Sequence, residues 1–183
     1  MTNPNFGSQT TMVANRLGLA LAFAVSAGAL AAAQTPIPPA AADFAMSAAQ
    51  SDQYEIAAGQ DAMTQSHDPR IRAFAQQMIA DHTRSGDGLR QAAGASGLAP
   101  PPPSMSSDQA SMLSALQSLR GADFDKTYAR QQVVAHAQAL AVEQSYATAG
   151  KDANLRKVAQ SDVPMIQHHL QMAQEISSAL GGS

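Results

Sequence analysis

The sequence contains no cysteine and no tryptophan. The first absence removes disulfides, thiolate metal sites, catalytic thiols and lipid attachment at a cysteine. Aromatic residues make up only 4% of the chain, which leaves no platforms for stacked bases. The net charge is −3 and no basic run occurs, so nucleic acid is not expected as a partner. No segment alternates polar and apolar residues with period two, which excludes a sheet. A phosphate-cradling glycine loop, a zinc-protease HExxH motif and a Ser-His-Asp order are all missing. Nothing marks a catalytic residue, and the pattern points away from an enzyme. What is abundant is alanine, the best helix former and a residue that lets helices approach closely.

The first residues have the layout of a secretory signal. Arg16 precedes an apolar run, Leu17 to Leu30, and the small-residue stretch Ala29-Leu30-Ala31-Ala32-Ala33 follows. Cleavage after Ala33 leaves Gln34 first, and Met12 is an alternative start. Residues 1–33 carry one basic and no acidic residue, so the remainder has a formal net charge of −4. The apolar run is short for a membrane span. The expected organisation is a signal peptide (1–33), a linker (34–39), a bundle domain (40–180) and a tail (181–183). The expected location is the periplasm, with no transmembrane segment after cleavage and with any envelope partner unidentified.

Beyond the linker the chain reads as helices. The first runs from about Ala40 to Gln65, with Phe44, Ala48, Ser51, Glu55, Ala58, Gly59 and Ala62 on one face. Asp68-Pro69 restarts a helix that runs to about Ala93, and its apolar face carries Ile71, Phe74, Ala75, Met78 and His82. Gly94 to Pro103 forms a rigid connector. A short helix capped at Ser106-Ser107-Asp108 ends at Gly121. A third long helix starts at or just before Asp123 and stops at Gly150. The last runs from about Asp152 to Leu180, with Pro164 inside it as an expected kink. The fold class is all-α: a four-helix bundle with a short extra helix in the crossing connection between its second and third long helices.

Each long helix turns an ionisable group toward the core. These are Glu55, His82, His136 and His169, and burying such groups is costly unless they find partners. Counted from the turns at 1.5 Å per residue, Glu55 and His82 differ in height by roughly 4–5 Å, and His169 lies roughly 7–8 Å beyond His136. Asp81, Glu143 and Asp162 are accessory candidates. Imidazoles with a carboxylate suit a transition metal such as zinc, iron or copper. The competing reading is a metal-free hydrogen-bonded network that stabilises a structural or interaction protein. The paired Glu-x-x-His of di-iron bundles is absent, since Ile79 and Val133 stand three residues before His82 and His136. A second stripe, Met165, His168, His169 and Met172, has the chemistry of a cuprous site or of gap-filling core residues.

Four stretches together resemble a bacterial family known as domain of unknown function 4142, often labelled predicted outer-membrane proteins. They are Phe44 to Ala62, FAQQMIADHT, GADFDKTYARQQVVAHAQAL and VPMIQHHLQMA, and they span about residues 42–176. The resemblance implies a ferritin-like four-helix domain exported to the envelope, without an established activity. The family pattern falls on Glu55, Asp81, His82, Phe124, Asp125, Tyr128, His136, Pro164 and His169, and leaves out His168. Barrel strands and a lipidation cysteine, which an outer-membrane protein could use, are both missing from the sequence.

Overall fold

Five α-helices follow one another without a strand among the described residues: α1 (Ala41–Gln65), α2 (Pro69–Ala95), α3 (Ser107–Gln117), α4 (Gly121–Ala149) and α5 (Ala153–Ala179). The structure is a computed structural model that describes residues 40–181. The expected signal peptide, the linker and the last two residues of the tail lie outside the described residues. The four long helices form the bundle and α3 is the short extra helix in the crossing connection, as the periodicity predicts. No described helix is long and apolar enough to cross a membrane.

Local chemistry sets the helix ends. Asp68 Oδ1 accepts from the Arg70 amide at 2.8 Å, with Pro69 at the first helical position. Ser106 and Gln109 close a capping box on α3. Asp152 Oδ1 accepts from the amides of Asn154 and Leu155, each at 2.9 Å. Ser96, just past α2, donates to the same oxygen at 2.7 Å and ties the end of α2 to the start of α5. Gly121 is the first residue of α4 and not merely a break before it. Its φ of +58° is open to glycine and lets the chain turn directly into the helix. Helix α5 continues through Pro164, whose side faces solvent.

α1 packs along α2, and α4 along α5, as two hairpins. α1 also meets α4, and α2 meets α5, which closes the square, while α3 lies against α1 and α4. The apolar core is divided in two. One cluster holds Ala62, Ile71, Phe74, Met78, Phe124 and Tyr128, near the α1–α2 turn. The other holds Phe44, Ala45, Leu89, Tyr146 and Leu155, near the α4–α5 turn. Because α2 ends at the second cluster and α4 begins at the first, the crossing connection runs the length of the bundle. Between the clusters lies a layer of buried ionisable side chains.

Gly150 stops α4, but not through a left-handed turn, since its φ is −57°. It is glycine because the Tyr146 ring occupies the space of a β-carbon, at 2.5 Å. That ring stacks on Phe44 with centroids 4.0 Å apart, so it cannot easily retreat. Gly150→Ala is expected to lower stability by about 1–3 kcal/mol through overpacking. Gly88→Ala, at a helical position with nothing within 4 Å, is expected to raise it by about 0.5–1 kcal/mol. Thermal unfolding of the two variants should therefore move in opposite directions.

Candidate metal centre

Three helices bring one histidine each to the buried layer: His82 from α2, His136 from α4 and His169 from α5. Their ring centroids form a nearly equilateral triangle, with separations of 5.5, 5.5 and 5.4 Å. One ring nitrogen from each lies within 4.8 Å of the other two. Counted from Gly150, His169 lies roughly 7–8 Å beyond His136 along the axis. Counted from the helix ends and not from Gly150, the two lie thirteen residues before the end of α4 and sixteen after the start of α5. That residual, roughly 4.5 Å of rise, is within what an imidazole and a helix tilt can span.

Each imidazole is anchored on its outer side. His82 Nδ1 meets Asp52 Oδ1 at 2.8 Å, His136 Nδ1 meets the Gln132 carbonyl oxygen at 2.9 Å, and His169 Nε2 meets Asp81 Oδ2 at 2.9 Å. A carbonyl only accepts, so His136 must carry its proton on Nδ1. The two carboxylates favour the same arrangement on His82 and His169. The nitrogens left without a partner are His82 Nε2, His136 Nε2 and His169 Nδ1. Outer acceptors that hold the ring and leave the other nitrogen's lone pair free are the usual support of metal-ligating histidines.

Electrostatics separates the three rings. Burial, then the charge of His82, pushes His136 down to about 3, and the same two causes push His169 down to about 4. Burial also pulls on His82, but the Asp52 hydrogen bond and the charges of Glu55, Asp52 and Asp162 outweigh it, and its pKa is raised. Burial lifts Glu55 to about 7, and burial with the neighbouring charges of Asp162 and Asp52 lifts Glu143 to about 8.

The other sequence candidates surround the triangle. Glu55 is fully buried, but it lies on the outer side of His136, with Oε1 3.6 Å from Nδ1. Its carboxylate and the amide of Gln132 beside it make no hydrogen bond of good geometry. Asp81 is the outer partner of His169 and also pairs with Arg84. Asp162 accepts from Ser85 Oγ at 2.8 Å, and Glu143 is buried with Oε2 unpartnered. His67 and His168 are exposed, and the Met165–Met172 stripe is split, because His169 turns inward to the triangle. The residue missed by sequence is Asp52. The signal for it was present: Ala45, Ala48, Asp52, Glu55, Gly59 and Ala62 follow an unbroken three-four spacing, and all are buried. Asp52 stands thirteen residues before the end of α1, as His82 stands thirteen after the start of α2. The height mismatch computed for Glu55 vanishes for Asp52.

The family model described as a domain of unknown function (DUF4142) matches residues 26–176. The chain belongs to the DUF4142 family. No curated protein and no solved structure matches it. The triangle and the outer partners His82–Asp52 and His169–Asp81 all fall inside the DUF4142 match.

Glu143 gives the metal-free protein a readable pH signature. Its carboxyl ionises at about 8 in the fold against 4.5 in the unfolded chain, so between these values the folded state holds the extra proton. Stability therefore falls as pH rises, by up to about 1.4 kcal/mol per pH unit for one such group. The depressed His136 and His169 act oppositely, but only below about pH 6.5, where the unfolded histidine is protonated. Glu55, lifted to about 7, and the raised His82 act in the same direction as Glu143, so urea denaturation with chelator present should show stability dropping from pH 6.5 to 8, and Glu143→Gln should flatten the upper part of that drop. An unchanged slope in the variant would remove Glu143 from the account.

Proposed function

We propose that this DUF4142 protein is exported to the periplasm and there binds one divalent first-row transition-metal ion through His82, His136 and His169. The observation that carries the reading is the convergence of three buried imidazoles, each tied at its outer nitrogen and each with its other nitrogen unpartnered. Loading displaces the proton that a charged His82 carries on Nε2, and three nitrogen lone pairs then converge on one cation. Zinc suits three neutral imidazoles with one open position, and copper binds such nitrogen sets most tightly. An ion about 2.1 Å from each nitrogen would draw them to roughly 3.4 Å from one another, so loading tightens the layer. Asp52 and Asp81 orient the ligands from outside and offset the ion's charge. Glu55, Glu143 and Asp162 extend the acidic surroundings. A single site of this kind fits carrying, buffering or sensing an ion.

The competing reading keeps the layer metal-free, as a network that fixes the packing. Its support is the Asp52–His82 pair. A protonated His82 can donate from Nε2 to one neighbouring ring, and the third ring then still lacks a donor. One buried polar atom left without a partner costs about 1–3 kcal/mol, which weighs against that network as the whole purpose of the layer.

Protein purified without a histidine tag or nickel should bind one equivalent of zinc or copper and unfold at a higher temperature when loaded. His82→Ala, His136→Ala and His169→Ala should each abolish that shift, and Asp52→Asn should weaken affinity roughly 10–100-fold. His67→Ala and His168→Ala should behave as the parent protein. If the His67 and His82 variants lose binding equally, the inner site is wrong. For export, protein recovered from the periplasmic fraction should have the mass of a chain that begins at Gln34, whereas a full-length mass in the cytosol would contradict export.

A further inference from the structure

A cavity of about 170 Å³ lies between α1, α3 and α4 and meets only one of the three histidines, His82. An apolar protein cavity of about 150 Å³ takes up benzene, so this one has room for a guest of about six non-hydrogen atoms. Its lining has two kinds of surface. Ala139 and Val142 of α4 and Ile166 of α5 are apolar, whereas Ser51 and Asp52 of α1 and Glu143 of α4 are polar. No lysine or arginine lines it. Asp52 and Glu143 are each 5% exposed, and Asp52 Oδ2 and Glu143 Oε2 are buried without a hydrogen-bond partner. Each is an acceptor whose desolvation a ligand N–H would offset.

The two carboxyls differ in charge balance. Asp52 already meets His82 through Oδ1 at 2.8 Å, whereas Glu143 has no ion-pair partner among the described residues. Burial and the like charges of Asp162 and Asp52 hold the Glu143 proton up to about 8. A cation beside Glu143 offsets all three, so the proton leaves as a cation binds. One unbalanced carboxyl calls for one positive charge. Acceptors on both α1 and α4 call for more than one N–H donor on that charge. The Ala139, Val142 and Ile166 surface calls for a short hydrocarbon stem, which an inorganic cation lacks. A primary alkylammonium combines a single charge, several donors and an apolar stem.

We propose that this cavity binds a primary alkylammonium ion of about four to six non-hydrogen atoms, with its ammonium head between Asp52 and Glu143 and its stem against Ala139, Val142 and Ile166. The site is separate from the position of an ion among the three imidazoles and does not depend on one.

The test uses the metal-free protein with chelator at pH 8.5, where Glu143 is largely ionised and an alkylamine, like a lysine side chain, keeps its proton. The probe is n-butylammonium. Butan-1-ol matches it in size without the charge, tetramethylammonium carries the charge without an N–H, and butyrate reverses the charge. In an NMR titration the amide signals of Ser51, Ala139 and Glu143 should shift saturably with n-butylammonium. The three controls should bind at least roughly tenfold more weakly, the equivalent of one charge-assisted hydrogen bond. Glu143→Gln should weaken n-butylammonium by roughly tenfold or more, and Ala139→Leu, which fills the apolar half, should abolish its binding. A variant that does not fold leaves the comparison of probes on the parent protein to decide. No saturable response to n-butylammonium would mean a cavity that holds water only, and would overturn the proposal. Equal binding of butan-1-ol or tetramethylammonium, or undiminished binding by a folded Glu143→Gln or Ala139→Leu variant, would overturn it as well.

Discussion

A layer of ionisable side chains held between two apolar clusters is the constraint on which this bundle depends. Phe74, Met78 and Tyr128 close the layer on one side, and Phe44, Leu89 and Tyr146 belong to the cluster on the other. Water is thereby kept from Glu55, His82, His136 and His169, each at most 1% exposed. Every group in the layer must then find a partner or change its charge, because a lone charge in such a setting is far costlier than any gain from helix propensity. The opposite shifts of neighbouring groups follow from this. His136 and His169 are driven neutral, the carboxyls of Glu55 and Glu143 are driven to hold protons, and His82 alone gains enough from Asp52 to favour its charge.

The outer hydrogen bonds decide what the layer can do. A carbonyl at the previous turn of α4 fixes one tautomer, and two aspartates from α1 and α2 favour the others. The three rings come from three helices, so their mutual placement reports the packing of the whole bundle. An ion bound among them would stabilise the fold by mass action and would join α2, α4 and α5. Phe74 packs its ring against His136 and His169, while a cavity lined by Asp52 and Glu143 lies beside His82.

Much of this was legible in the sequence. Apolar spacing, the Asp68-Pro69 restart, the Ser106 cap and the Asp152 cap located all five helices within a few residues. The inward direction of His82, His136 and His169 followed from the positions they share with Phe74, Met78 and Ile166. Asp52 was not singled out by periodicity, because Ser51 also fits the broad small-residue face of α1 and Glu55 offers a carboxylate one turn later. Glu55 is on the same face, but three residues are 4.5 Å of rise, and that distance separates the partner of His82 from a neighbour of His136.

Periodicity along one helix states which residues face inward, and for this chain it was enough to name the bundle and its inward histidines. Which inward groups meet is a different quantity. It depends on tilt, on the axial offset added by the three residues between α4 and α5, and on the reach of side chains, none of which is local. Only the packed helices chose Asp52, Asp81 and the Gln132 carbonyl as the outer partners, set Glu55 apart from the triangle, and left a cavity beside His82.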